Sequence, residues 1–153
     1  MRRRQTILTV IALALACVAV IGYKLSARWH STDATLLPRS PCDPSIQDCF
    51  ITLPHGGQLQ LSIAPRPIRP LQKLSLEVKT TGVKAEKVEI DFDGVDMSMG
   101  YNRQPLSGDG REFYGQAILP VCITGAMTWK ATVIVTAGSE RFAAPFHFKV
   151  AAR

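Results

Sequence analysis

Hydrophobic and polar residues alternate over several short segments in the last two thirds of this chain. Three of them, residues 58–63, 73–80 and 87–92, place apolar side chains at every second position. A more apolar segment (129–137) and a closing one rich in phenylalanine (141–150) follow. Alternation with a period of two is typical of strands that bury one face. The chain is therefore predicted to be all-β.

Proline and glycine separate these segments. IAPRPIRP (63–70) predicts a connector between the first two strands, and SGDGRE (107–112) predicts a hairpin turn whose glycines take positive φ. Closely spaced strands with turns of this kind are typical of sandwiches. We predict an Ig-like antiparallel β-sandwich of about seven strands, formed by residues 58–153 and preceded by one transmembrane helix.

That helix is predicted from an apolar segment near the start of the chain. Residues 6–23 carry no charge, and 18 residues is at the short end of the length that spans a bilayer. The arginines at 2–4 predict that residues 1–5 stay cytoplasmic and that the rest is exported. A cleaved signal peptide and a lipoprotein modified at Cys17 are the alternatives. An uncleaved single-pass anchor in the inner membrane, with the C-terminal domain in the periplasm, is the preferred prediction.

Residues 24–57 have no sustained period and contain four prolines, which predicts a linker. Within it, CDPSIQDC holds Cys42 and Cys49 seven positions apart, and a local disulfide is favoured in an oxidising compartment. Cys122 lies further along. It is interpreted as a small buried residue, as a partner for Cys42 or Cys49 in a different bridge, or as a metal-binding thiol, and the sequence leaves these open.

The charge distribution argues against nucleic-acid binding. The formal net charge is +6, but three of the 18 basic residues lie in the first four positions. From Lys24 onward there are 15 basic and 12 acidic residues, scattered along the chain. No basic stripe results, so nucleic acid is not a predicted partner.

Motifs of catalysis are absent from the sequence. It contains no GxSxG, HExxH, P-loop or CxxC, and its three histidines (His30, His55 and His147) lack the spacing of a shared metal site. DFDGVD does not match a calcium loop either, because the glycine and glutamate expected at the sixth and twelfth loop positions are missing. The protein is predicted not to be an enzyme.

Two methionines, Met97 and Met99, stand one residue apart after this acidic stretch. If the segment is extended, both side chains point the same way. The preceding strand places its apolar residues at even positions, so the parity changes across Gly94 and indicates a bulge or bend. Both methionines fit core packing, and both fit Cu(I) binding, since thioethers suit soft metals. A third ligand would come from Cys122, Met127 or a histidine, although Met127 also opens a row predicted to be buried core.

The stretch from VDMSMGYNR (95–103) to TWKATVIV (128–135) resembles the domain of YtkA-like and FixH-like proteins. In that family an M-x-M-G motif, here 97–100, is followed by a strand ending in proline, here 110–120, and by a tryptophan- and valine-containing strand. The resemblance implies an Ig-like sandwich outside the inner membrane. It also implies copper delivery to, or assembly of, respiratory haem–copper oxidases, with Met97 and Met99 as ligands.

The leading hypothesis is thus a periplasmic, membrane-anchored protein that binds or passes Cu(I) through Met97, Met99, Cys122 and Met127. Its partners would be a membrane respiratory complex or another copper chaperone. A second hypothesis is a non-catalytic module that docks onto a membrane complex while the methionines pack. Thiol–disulfide exchange at Cys42 and Cys49 is a third, and it is weaker because their spacing exceeds that of CxxC.

Overall fold

The computed structural model describes residues 13–20, 22, 34–120 and 127–150. The chain divides into two compact units, Met1–Asp33 and Ala34–Arg153. Residues 13–20 and 22 of the first unit are helical. Among the described residues, no helix is both long and apolar enough to cross a membrane. The other residues of the predicted anchor, 6–12, 21 and 23, lie outside the described residues.

The second unit is all-β, as predicted, but it has nine strands instead of about seven. The additional strands are the two nearest the N-terminus; they are only two and four residues long, too short to show a sustained period of two, so the alternation of side chains did not reveal them. The strands are β1 (Thr35–Leu36), β2 (Cys49–Thr52), β3 (Gln58–Ala64), β4 (Lys73–Thr81), β5 (Lys87–Gly94), β6 (Arg103–Gly108), β7 (Glu112–Ile118), β8 (Met127–Ala137) and β9 (Glu140–Val150).

The nine strands form a single sheet in the order β1-β9-β8-β5-β6-β7-β4-β3-β2. Every pairing is antiparallel except that of β1 with β9, which is parallel. Strand β6 joins the two halves of the sheet, because residues 103–106 pair with β5 while residues 107 and 108 pair with β7. Strand β6 therefore pairs with β5 along its first four residues and with β7 along its last two.

The two halves of the sheet enclose one hydrophobic cluster. The alternation in the sequence identified its members correctly, since the inward positions of four strands are all fully or almost fully buried. They are Leu59, Leu61 and Ile63 on β3; Leu74, Leu76 and Val78 on β4; Val88, Ile90 and Phe92 on β5; and Trp129, Ala131, Val133 and Val135 on β8. Burial of this apolar surface is the main stabilising contribution to the fold.

The region predicted as a linker contributes to the sheet. Strands β1 and β2 lie within residues 24–57, so the compact β unit begins at Ala34 and not at residue 58. Strand β2 pairs with β3 and extends the sheet by one strand. The sequence did not predict it, because its side chains alternate over only four residues. A 3-10 turn at Pro54–Gly56 links it to β3.

The disulfide between Cys42 and Cys49 is present, with a sulfur–sulfur distance of 2.00 Å. This confirms the local bridge and excludes the alternative pairing of either cysteine with Cys122. The bridged loop is also tied to the proline-rich connector, because Arg66 Nη2 donates to Asp48 Oδ1 at 2.6 Å. The disulfide thus fixes the chain directly before the edge strand β2.

The hairpin predicted at residues 107–112 is confirmed between β6 and β7. Asp109 Oδ1 accepts hydrogen bonds from the backbone N–H groups of Arg111 at 2.9 Å and Glu112 at 3.0 Å. Gly110 takes a φ of 99°, which is strained for residues with a side chain. The sequence signal and the turn geometry agree here.

Candidate metal centre

The predicted methionine ligands lie at one end of the β unit. Antiparallel pairing brings the end of β5, the start of β6, the end of β7 and the start of β8 to this same end. Residues 95–102, which connect β5 to β6, are called the methionine loop below. The described β chain enters at the opposite end, where Thr35 pairs with Phe142 near the start of β9.

Backbone hydrogen bonds hold the methionine loop at its base. The last residue of β5, Gly94, pairs in register with Trp129 of β8. The N–H of Val95 then donates to the carbonyl of Thr128 at 3.0 Å. The other side of the loop is closed by a bond from the N–H of Phe92 to the carbonyl of Asn102, at 2.9 Å.

Asp93 organises the interior of the loop. Its Oδ1 accepts the N–H of Gly94 at 2.9 Å and the N–H of Met99 at 2.8 Å. The Nζ of Lys130 lies 3.9 Å from the other carboxylate oxygen. These groups, with the N–H of Met99 first, lower the pKa of Asp93 below the ordinary aspartate value. The charged carboxylate therefore fixes the backbone of Met99.

Two of the methionines lie in close contact with Gly94. A Cβ placed on Gly94 would collide with the carbonyl oxygen of Met97 and with the ε-methyl of Met127. Both groups therefore press against the bare glycine backbone. The backbone N–H of Met99 is held beside this point by its hydrogen bond to Asp93, so parts of all three residues lie near Gly94: the side chain of Met127 and the backbones of Met97 and Met99. Met97, Met99 and Met127 are called the methionine cluster below.

The members of the cluster differ in exposure. Met97 is 44% exposed, Met99 is partly buried against the hydrophobic core, and Met127 is only 7% exposed. The condition under which Met97 and Met99 would point the same way, an extended segment, is not met, because β5 ends at Gly94 and a bend follows. The predicted change of direction at Gly94 is present, and it turns one methionine outward and the other inward.

The remaining candidate ligands do not join the cluster within the described residues. Cys122 and His30 both lie outside the described residues. His55 is at the opposite end of the β unit, with its Nε2 3.4 Å from Glu140 Oε1. His147 pairs in register with Lys130 on the outward face. Burial and the nearby cations lower the pKa of its imidazole.

Within the described residues, no three His, Cys, Asp or Glu side chains come together as a metal site. Methionine thioethers form a different donor set, suited to soft cations such as Cu(I). The chain has four methionines, and every one except Met1 belongs to the methionine cluster.

The sequence did not identify the two residues that organise the cluster. The sequence pattern predicts a bulge or bend at Gly94, and it assigns no role to Asp93 beyond the rejected calcium loop. A usable signal was present, since an Asp-Gly pair sits where the strand parity changes. The sequence did not show that Met127, at the start of β8, packs against Gly94. That contact depends on the long-range pairing of β8 with β5.

The fold and this site together define an all-β, disulfide-containing protein with a methionine cluster at one end. No protein-family model matches the chain, and no curated protein matches it. Among solved structures, a DUF4785 family protein from Legionella pneumophila is similar over 62% of this chain, with 14% identity and a TM-score of 0.44. The match spans 28% of that protein. A likeness at this level carries no argument about function.

Proposed function

We propose that the protein is an inner-membrane-anchored periplasmic protein with an Ig-like β-sandwich that binds or passes Cu(I), in the assembly of a respiratory haem–copper oxidase. The observation that supports this proposal is that three methionines lie around Gly94, Met127 through its ε-methyl, Met97 through its carbonyl and Met99 through the bond of its N–H to Asp93. Thioethers remain uncharged and cannot be consumed in disulfides, which suits metal handling in an oxidising compartment.

The graded exposure of the cluster supports transfer rather than permanent storage of the metal. Met97 is the most exposed of the three and would meet a partner, whereas Met99 is partly buried and Met127 is buried. A site with one accessible ligand lets the metal leave by stepwise ligand exchange. Cys122 precedes Met127 by five positions and is the proposed additional ligand. The N-terminal segment 6–23 is the proposed anchor.

Preorganisation of the loop also supports this proposal. Asp93 fixes the backbone at Met99, and the Phe92–Asn102 bond closes the loop. Less conformational entropy is then lost when the side chains order around a cation. Three weak thioether ligands benefit from this more than a single strong ligand would.

A competition titration tests the copper proposal. The full-length protein in detergent is titrated with Cu(I) against a chromogenic chelator, beside the Met97→Leu/Met99→Leu double variant. We expect the double variant to bind at least about tenfold more weakly. Val95→Leu is the matched control, because Val95 lies on the same loop with 43% exposure and carries no sulfur. Equally weak binding by the wild type and the double variant would reject the proposal.

A second candidate function is a non-catalytic module that docks onto a membrane complex. The observation that favours it is the exposure of apolar side chains on the same loop, with Tyr101 at 85% and Val95 at 43%. Such exposure is typical of interaction sites. Tyr101→Ser together with Val95→Ser would then abolish co-purification of the membrane complex while leaving Cu(I) affinity unchanged. The converse result would favour copper binding alone.

A further inference from the structure

At the end of the β unit opposite to the methionine loop, the turn that leaves β4 is docked against the hairpin between β6 and β7. The N–H of Thr80 donates to the carbonyl of Arg111 at 2.8 Å. The N–H of Ala85 donates to the carbonyl of Gly110 at 2.9 Å. These two bonds fix the β4–β5 turn, residues 82–86, beside the hairpin.

Close packing fixes this turn on both of its sides. A Cβ placed on Gly57 would lie 2.7 Å from Cγ2 of Val83, so the turn rests directly on bare backbone there. On the hairpin side, Cγ and Cε of Lys84 lie 3.3 and 3.4 Å from the position that a Cβ on Gly110 would take. The aliphatic part of the Lys84 side chain therefore lies over the hairpin.

A cavity of about 530 Å³ opens between the turn and the hairpin. We call it the turn pocket. It is lined by Thr80, Thr81, Gly82, Val83, Lys84 and Arg111. The polar side chains among these residues are two hydroxyls and two cations, and none is acidic. The turn pocket thus offers hydrogen-bond donors and positive charge without a carboxylate of its own.

The two cations of the turn pocket lack a counter-ion within the protein. Among the described residues, no ion pair of Lys84 or Arg111 is found. Other basic residues of the β unit do meet carboxylates: Arg66, Lys79, Lys87, Arg103, Lys130 and Arg141. Two like charges that line one cavity repel each other, and a bound anion would offset that repulsion.

The acidic residues nearest in sequence are engaged elsewhere or point away from the pocket lining. Asp109 Oδ1 accepts two backbone N–H groups of its own hairpin. Glu112 accepts the hydroxyl of Tyr114 at 2.8 Å and lies 3.4 Å from the Nζ of Lys79. Glu86 is exposed and is not one of the lining residues. The pocket is therefore left to an external anion.

The turn pocket also contains a buried donor. Thr80 is only 4% exposed, and its Oγ1 reaches the carbonyls of Gly110 and Arg111 at 3.5 Å each. That distance is long for a hydrogen bond between two oxygens, which is usually about 2.5–3.0 Å. A ligand oxygen in the pocket would take a shorter bond from this hydroxyl. Binding in the pocket would thus involve more than attraction to surface charge.

This set of donors matches a phosphate group. A guanidinium such as that of Arg111 presents two parallel N–H groups to two phosphate oxygens, and a lysine ammonium adds a point charge. The oxygens of a tetrahedral phosphate point in several directions, so they meet donors on both walls of a cavity. The hydroxyls of Thr80 and Thr81 supply the remaining bonds.

We propose that the turn pocket binds a phosphate group, either as a free phosphate or as the phosphodiester of a lipid headgroup. The Lys84 ammonium and the Arg111 guanidinium neutralise its charge, and the Thr80 hydroxyl anchors one oxygen from below. This inference does not depend on metal binding, because the turn pocket and the methionine loop lie at opposite ends of the β unit.

A titration followed by nuclear magnetic resonance tests the site. The full-length ¹⁵N-labelled protein, in a maltoside detergent that carries no phosphate, is titrated with inorganic phosphate at constant ionic strength. The amide signals of Thr81, Lys84 and Arg111 should shift and saturate with a Kd of about 1 mM or below. Shifts that do not saturate, or that chloride produces equally, would overturn the proposal.

The source of the phosphate is tested with glycerophosphoglycerol, the water-soluble headgroup of phosphatidylglycerol. Binding at least about threefold tighter than that of inorganic phosphate assigns the pocket to a lipid headgroup. A preference of the same size for inorganic phosphate assigns it to a free phosphate. Failure of both compounds to shift the pocket amides would overturn the proposal.

A matched pair of double variants separates the pocket from the overall charge. Lys84→Gln/Arg111→Gln should weaken phosphate binding by about tenfold or more. Arg69→Gln/Lys149→Gln is the control, because it removes one arginine and one lysine that are exposed and do not line the pocket. It should leave the affinity unchanged. If both double variants lose affinity equally, the effect is one of net charge and the proposal is wrong.

The buried hydroxyl has its own variant. Thr80→Val keeps the shape of the side chain and removes only the donor, so phosphate binding should weaken by about threefold or more. The amide spectrum of the variant outside the turn pocket shows that it is folded. An unchanged affinity in the folded variant would place the anion at the surface and overturn the site. None of these titrations contains copper, so their failure leaves the copper proposal intact.

Discussion

At the scale of single residues, the methionine loop depends on one glycine and one aspartate. Gly94 is required because there is no room for a side chain between the Met97 carbonyl and the Met127 methyl. Asp93 matters because its carboxylate accepts hydrogen bonds from two backbone N–H groups, those of Gly94 and Met99. Packing and hydrogen bonding therefore act on consecutive residues to bend the chain.

Replacing Gly94 with alanine should destabilise the β unit. The added methyl collides with groups from both the loop and β8, so we expect the free energy of unfolding to fall by about 1–3 kcal/mol. Chemical denaturation measures this. Gly22→Ala is the control, because nothing lies within 4 Å of the methyl group it would add. An unchanged stability of Gly94→Ala would show that the contacts at Gly94 relax freely.

Replacing Asp93 with asparagine should change the pH dependence of stability. The folded state lowers the pKa of Asp93, so the charged carboxylate stabilises the fold above the ordinary aspartate pKa of about 4. That contribution is lost as the pH falls through the lowered folded-state pKa. The difference in unfolding free energy between wild type and Asp93→Asn should therefore be constant near neutrality and shrink below about pH 4.

Urea denaturation over a pH series measures this difference. Asp96→Asn, an exposed position on the same loop, is the matched control and should follow the wild-type profile. A difference between wild type and Asp93→Asn that stays constant down to low pH would contradict the role given to the Asp93 carboxylate.

At the scale of elements, the alternating and apolar segments identified β3, β4, β5, β8 and β9, because each has a buried face that extends over seven or more residues; β9 also buries the consecutive residues 142–146. The short edge strands β1 and β2 escaped, since two to four residues carry too little periodicity. The two-sided pairing of β6 also escaped, because long-range register leaves no local signal. The sequence likewise identified Met97 and Met99 as candidate ligands. It did not show that the bend leaves Met97 exposed and Met99 partly buried.

Removal of the Cys42–Cys49 bridge should weaken the start of the β unit. The bridge closes a short loop, so the double variant Cys42→Ser/Cys49→Ser should lose roughly 2 kcal/mol of unfolding free energy. A reducing agent should destabilise the wild type by a similar amount and leave the double variant unaffected. If reductant lowers the stability of both proteins equally, the bridge is not the source of the effect.

At the scale of the whole molecule, the buried core residues that the structure describes all lie in the second unit, from Leu37 to Val150. The methionine loop lies at one end of that unit, and the described β chain enters at the other. A partly exposed loop at this end would suit the proposed transfer of a soft cation to a partner.

The second unit should fold without the first. Residues 34–153 contain every buried core residue that the structure describes, so this fragment should unfold in one cooperative transition with the same midpoint as the β unit of the full chain. Thermal unfolding followed by near-ultraviolet circular dichroism measures both midpoints. A fragment that is molten or much less stable would show that residues 1–33 contribute to the core.

The central claim, that the methionine cluster binds Cu(I), is tested most directly by the methyl signals of the methionines. The full-length protein is labelled with [methyl-¹³C]methionine and titrated with Cu(I). The ε-methyl signals of Met97, Met99 and Met127 should shift together and reach saturation, while that of Met1 stays in place. If none of the three moves, or if Met1 moves as much as they do, the account is contradicted.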